Sequence, residues 1–173
     1  TIYYGQPYGY LSTPSPDDGY MFSHWNTQSN GSGQVVSSST VHNVQSNVTI
    51  YAQYRFIFTY NLPQPNMITI YGLIPEYTSS YLYVPEYVTL YGTTRKVVLI
   101  DNYAFQNNQN LTKVELDLEQ GSSIGYGIFQ GCNNITEMTI SLYGSANTIG
   151  AYFGVSNSYI PSSLNKVTVP HTA

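Results

Sequence analysis

Charge is what this sequence has least of: 5 Lys+Arg and 9 Asp+Glu make up 8% of 173 residues, against roughly 25% in an ordinary soluble chain. Five scattered bases on a chain of net charge −4 cannot form the Lys/Arg stripe that neutralises phosphates, which excludes nucleic acid as a partner. Cysteine is nearly absent too. Cys132 alone cannot form an internal disulfide, so cysteine usage does not fix the redox compartment, although such scarcity is compatible with export. No window approaches 18 apolar residues, and the first residues lack a basic stretch followed by an apolar one. The sequence therefore predicts no membrane span here and places any secretion signal or anchor outside this segment. Helical periodicity is also missing, since no ten-residue segment carries a convincing apolar stripe at 3.6 spacing.

What is present is neutral and polar. The chain holds 19 Ser, 17 Thr, 15 Asn and 10 Gln, and its 19 Tyr far outnumber its 6 Phe. Amides, hydroxyls and phenols thus replace salt bridges at the surface, while a 42% apolar share suffices for a core and excludes a disordered tail. Alternation with period two dominates: Val48-Thr49-Ile50-Tyr51, Met67 to Tyr71, Val88 to Tyr91, Lys113 to Leu116 and Lys166 to Val169 read as strands. Turn formers stand between them, as in Pro14 to Gly19, Asn30-Gly31-Ser32-Gly33 and Asn107-Asn108.

The composition shifts near residue 60. Asn61-Leu62-Pro63-Gln64-Pro65-Asn66 reads as a short linker, because proline stiffens the chain and breaks ladders, so the expected parts are 1–60, a linker at 61–66, and 67–173. The last part repeats. Ile100 to Phe105 followed by Asn107 to Leu116 returns 24 residues later as Ile124 to Phe129 followed by Gly131 to Ile140. A third copy starts at Ile149-Gly150-Ala151-Tyr152-Phe153 and ends in Leu164 to Val169. A repeat unit cannot bury its apolar face alone and must stack on its neighbours, which predicts a solenoid with one parallel sheet on its concave side. Met67 to Gly72 and Val88 to Gly92 read as weaker upstream strands of the same array.

The pattern I-x-x-Y-A-F, a Cys or Asn turn, then N-L-T-x-V-x-L resembles the BspA-like leucine-rich repeats of bacterial surface proteins over residues 67–172. The N-terminal elements Tyr4 to Gly9, Gly19 to Thr27 and Ile50 to Tyr54 stand in the order of the Listeria-Bacteroides repeat, also called the internalin B-repeat. That resemblance implies a small β-grasp-like unit whose first strand usually precedes the Tyr-Gly element. Here that strand is absent or shortened, or Arg55 to Tyr60 supplies a substitute. The expected fold is mostly β: a β-grasp-like repeat, then a short leucine-rich-repeat solenoid with a parallel sheet.

Candidate chemistry is sparse. A hydrolase triad needs a nucleophile against a base oriented by a carboxylate, yet His24, His42 and His171 lie apart and no G-x-S-x-G accompanies them. Cys132 and the histidines lack zinc spacing. Asp17-Asp18 and Glu115, Asp117, Glu119 could offer oxygens to calcium without the loop grammar that normally binds it; at period two the latter three form an acidic stripe on one sheet face. Two acids on one strand do not flank a sugar across a cleft as a glycosidase requires. Trp25, the only tryptophan, reads as core of the N-terminal unit, with a glycan-stacking platform as the alternative. Arg95-Lys96 reads as a solvated strand edge, and the sequons at Asn30, Asn47, Asn110 and Asn134 as turn asparagines.

Tyr77, Tyr81, Tyr83, Tyr87 and Tyr91 are the candidate ligand-binding residues, since each phenol joins an apolar body to a polar tip suited to recognition. The competing reading, weighed equally, is that Tyr simply replaces Phe and charged residues. The sequence thus predicts a non-enzymatic, monomeric module without cofactor, extracellular or on the cell wall. As the resemblance implies, it would bind a protein or glycan ligand on a host or neighbouring cell. The alternatives are a non-binding spacer in a large wall-anchored protein, or a carbohydrate-binding module of a wall enzyme.

Overall fold

The computed structural model describes residues 2–140, 148–154 and 156–170; Tyr143 and His171 lie outside them. The chain divides into two compact units, Thr1–Phe56 and Ile57–Ala173. In the first, β1 (Tyr20–Asn26), β2 (Val35–Val36) and β3 (Tyr51–Phe56) form an antiparallel sheet in the order β2-β1-β3. Aromatic and β-branched residues favour these strands. Between β1 and β2, the buried Asn26 shapes the turn: its Nδ2 donates to the Gly31 and Gly33 carbonyls at 3.1 and 3.2 Å, and its Oδ1 accepts from the Gln28 N–H at 2.9 Å. The Asn-Gly-Ser-Gly signal in the sequence is thus a turn held by a buried amide. Trp25, expected in the core, is only half-buried.

The second unit begins earlier than the sequence suggests. β4 (Phe58–Asn61) pairs antiparallel with β5 (Met67–Leu73), so of residues 61–66, expected as a linker, Asn61 ends a strand and 62–66 connect the two strands of a hairpin. The prolines sit in the connection, where no ladder bond is needed. The segment Arg55 to Tyr60 is divided accordingly: Arg55 and Phe56 end β3, and Phe58 to Tyr60 belong to the second unit.

Further along come β6 (Tyr81–Val84), β7 (Tyr87–Leu90), β8 (Thr93–Ile100), β9 (Lys113–Leu116), β10 (Ser123–Ile124), β11 (Glu137–Ile140), the short helix α1 (Ile149–Phe153) and β12 (Lys166–Thr168). They build two sheets. One has the order β10-β8-β5-β4 with β7 added against β8; the other is wholly parallel, in the order β12-β11-β9-β6.

Met67 to Gly72 stacks in parallel on β8, which pairs in parallel with β10, as a strand of the array should. The expectation for Val88 to Gly92 needs correction: it belongs to an antiparallel β7–β8 hairpin whose tight turn holds Tyr91 and Gly92 at φ 53° and 72°. The upstream strand of the wholly parallel sheet is β6. Its register, Leu82 to Val114, spans 32 residues where Val114 to Met138 spans 24, because the hairpin is inserted between the two turns of chain. Arg95 is also not a solvated edge residue: it is 8% exposed, and its Nη1 donates to the Leu90 and Thr93 carbonyls, tying the hairpin turn.

The core of this unit is a set of ladders. Leu82, Val114 and Met138 stack from strand to strand, as do Val84, Leu116 and Ile140, all buried. Phe58, Phe105, Phe129 and Phe153 form a continuous buried row with centroids 6.5, 5.5 and 6.2 Å apart. Each such side chain contributes about 1.5–3 kcal/mol by leaving water. Polar ladders run beside them: the Thr136 hydroxyl donates to the Thr112 carbonyl at 3.0 Å, and the Thr112 hydroxyl to the Ser80 carbonyl at 3.3 Å. Gly125 lies where a Cβ would come within 2.4 Å of the Asn102 main-chain nitrogen, so only glycine allows the copies to approach there.

Candidate functional site

Period-two alternation aims every second residue of the parallel sheet outward. The buried partners are Leu82 and Val84, Val114 and Leu116, Met138 and Ile140, which leaves two registered outward rows. Tyr81, Lys113, Glu137 and Lys166 form one; Tyr83, Glu115, Thr139 and Thr168 form the other. Parallel pairing without a slip keeps these rows straight across four strands.

Neighbours in the rows hold one another. The Tyr81 hydroxyl donates to Glu115 Oε2 at 2.9 Å, and the Tyr83 hydroxyl to Asp117 Oδ2 at 3.0 Å. Lys113 Nζ lies 5.3 Å from the Tyr81 ring centroid, within cation–π range. Lys166 and Glu137 approach to 3.4 Å at an exposed position. The acidic stripe of Glu115, Asp117 and Glu119 read from the sequence is therefore flanked by phenols that donate to its first two members.

The candidate tyrosines occupy different places. Tyr81 and Tyr83 stand on the outward face of β6. Tyr87 begins β7, half exposed, with Lys96 Nζ 5.9 Å from its ring centroid and Lys96 in turn 3.2 Å from Glu86. Its phenol is held above the usual range, first by a hydrogen bond with Glu86 and then by that carboxylate's charge, and Glu119 adds to the effect. Glu119 also helps raise the Lys96 ammonium, whose main support is its hydrogen bond with Glu86; Tyr87 itself lies on β7, in the other sheet from Tyr81 and Tyr83. Tyr91, 81% exposed at the hairpin turn, accepts a 3.3 Å hydrogen bond from the Tyr60 hydroxyl. Tyr77 is half-buried: its hydroxyl donates to the Tyr81 carbonyl, and burial raises its pKa although a Ser79 hydrogen bond opposes the rise. It clamps the start of β6, while Tyr81 and Tyr87 are exposed and Tyr83 is half-buried.

Residues that the sequence did not single out complete the face. Lys113, Glu137, Thr139 and Lys166 share it through register, and the signal that could have found them was the outward parity of each strand. The other sequence candidates are accounted for by local contacts. Ser23 Oγ and His24 Nδ1 are 2.9 Å apart on neighbouring residues, and His42 Nδ1 lies 3.3 Å from the Tyr8 hydroxyl. Cys132 is buried, its thiol donates to the Phe105 carbonyl, and burial pushes its pKa up to about 11, which makes it unreactive near neutrality. Among the described residues, no group of three or more His, Cys, Asp or Glu side chains could hold a metal ion. No helix among them is long and apolar enough to cross a membrane.

Two family models match the chain. The family described as the BspA type leucine rich repeat region (6 copies) matches residues 79–172, and the Listeria-Bacteroides repeat domain matches residues 1–53. Among solved structures, the chain is similar to a leucine-rich repeat protein from Bacteroides capillosus. The two are 17% identical with a TM-score of 0.44, over 66% of this chain and 94% of that one. No curated protein sequence matches.

Proposed function

The chain belongs to the BspA-type leucine-rich repeat family, whose pattern covers more than half of it, and we propose that it is a bacterial surface module that recognises a protein ligand through the outward face of β6-β9-β11-β12. The observation that carries this reading is the registered face itself. Four parallel strands align phenols, carboxylates and ammonium groups in two straight rows, a rigid surface whose polar groups are already oriented. Little side-chain freedom remains to be lost on binding. Tyr81 and Tyr83 on that face, together with the exposed Tyr87 on β7 of the other sheet, are the proposed anchors, because aromatic residues with a polar tip dominate binding energetics at interfaces. Neighbouring charges of both signs give local hydrogen-bonding capacity without a large single-sign field, which suits a specific contact more than long-range attraction. The location we propose is extracellular or on the cell wall, with the chain acting as a monomer and without enzymatic activity or cofactor.

The test is a binding panel: the whole chain against immobilised host matrix proteins, mucins and cell-wall glycans, read by surface plasmon resonance. Saturable binding to a protein ligand supports the reading, and silence across the panel with native circular dichroism opposes it. One observation favours a second reading, that of a spacer. The Tyr81 and Tyr83 hydroxyls already spend their donors on Glu115 and Asp117, as they would on a face built only to be soluble.

A further inference from the structure

We propose that the first unit holds a binding groove for a neutral saccharide, independent of the repeat face and centred on Trp25. The groove arises from an irregularity in β1. Pairing with β3 matches Phe22 to Tyr54 and Trp25 to Ala52, with a register shift between Phe22 and His24. Residues three apart on a regular strand point to opposite faces, but one extra residue restores the parity. Phe22 and Trp25 therefore share a face, their centroids 5.7 Å apart, with Tyr54 6.2 Å from Phe22.

Beside these rings lies an open groove of about 390 Å³, whose lining includes Tyr10, Leu11, Phe22, Trp25 and Val36. That volume falls at the lower end of the roughly 300–1,000 Å³ typical of small-molecule sites. The Trp25 indole is held in place, since its Nε1 donates to the Ser12 carbonyl at 3.2 Å. Tyr10 stands at 90% exposure, a large ring kept in water.

Three features select the ligand class. None of the lining residues is Asp, Glu, Lys or Arg, and His24, which also lines the groove, has its Nδ1 2.9 Å from Ser23 Oγ, so an ionic ligand would lose hydration without finding a permanently charged partner. The exposed Tyr10 ring and the half-buried Trp25 indole are aromatic groups of the kind that packs against the C–H side of a pyranose. Ser23, Ser37 and Ser38 also line the groove, and a serine hydroxyl both donates and accepts, as sugar hydroxyls require. An apolar peptide would match the rings and leave that hydroxyl rim unused.

Trp25 is the only tryptophan in the chain, so its fluorescence reports on this groove alone. The experiment titrates the whole chain with maltose, cellobiose, N,N′-diacetylchitobiose and galactose, and with a proline-rich peptide. At least one sugar should shift the Trp25 emission saturably. Tyr10→Ser, at an exposed position, should weaken that affinity about tenfold, an effect of about 1.4 kcal/mol, while Tyr10→Phe keeps it. No saturable response to any of the four sugars, a response to the peptide alone, or an affinity indifferent to Tyr10→Ser would overturn the proposal. Because the repeat face is untouched in these variants, either result leaves its proposed role to its own test.

Discussion

Replacing Phe129 with alanine should unfold much of the repeat unit's stability margin. Phe129 is fully buried between Phe105 and Phe153, at centroid distances of 5.5 and 6.2 Å, so truncation empties the middle of the aromatic row and removes both ring contacts at once. A buried Phe→Ala change costs roughly 3–5 kcal/mol, a large share of the 5–15 kcal/mol that holds a typical domain together. The neighbours cannot collapse into the gap easily, because parallel ladders on either side fix the spacing of the copies. With a urea slope of about 2 kcal/mol/M, the midpoint should fall by roughly 2 M. Phe129→Leu keeps most of the volume and should cost about 1.5 kcal/mol or less. The assay is urea denaturation followed by far-UV circular dichroism. A Phe129→Ala loss below about 1 kcal/mol, or equal losses for alanine and leucine, would refute the claim that stacked aromatics hold the copies together.

Further outcomes follow from the same geometry. Burial raises the Cys132 thiol from 9.0 to about 11 and the Tyr152 phenol from 10.0 to about 12; both folded values exceed the unfolded ones, so their contribution is complete below pH 9 and is lost as pH rises toward 12. Alkaline titration of stability should show that decline, and Cys132→Ala should remove its portion between about pH 9 and pH 11. Gly125→Ala should destabilise by about 2 kcal/mol or more, since its Cβ would meet Asp101 and Asn102 backbone atoms at 2.4 to 2.8 Å and backbone cannot step aside as a side chain can; thermal denaturation reads this. Lys166→Ala should change stability by less than about 1 kcal/mol, because its pair with Glu137 is exposed and such pairs contribute little.

The repeats were legible because identical spacing puts identical apolar residues in register: Leu111 and Ile135, Val114 and Met138, Phe105 and Phe129 all recur at the same interval and all are buried. The turns were legible for a similar reason, as Asn107 and Gly131 both take positive φ, a conformation their residue types favour. Before residue 97 the interval changes, and the reading failed where it changed. Tyr81 to Val84 joins the parallel sheet only through pairing with a strand 32 residues away, a relation no local pattern reports. Arg95 misled for the opposite reason: its neighbour Lys96 suggested solvent, while its guanidinium reaches the two turn carbonyls. Sequence parity found Glu115 and Asp117 on one face, but their phenol partners depend on three-dimensional register. Trp25 followed the alternation rule into an expected core, and a single bulge moved it to the wall of a groove.

The central claim is that Tyr81, Tyr83 and Tyr87 carry recognition. Its most direct measurement compares the whole chain with the variant Tyr81→Ser/Tyr83→Ser/Tyr87→Ser for affinity to the protein ligand found in the panel, with circular dichroism and urea midpoints run alongside. Interface anchors each cost about 2 kcal/mol or more when truncated, so affinity should fall by more than about a hundredfold while the fold survives. Unchanged affinity in the folded triple variant would contradict the account.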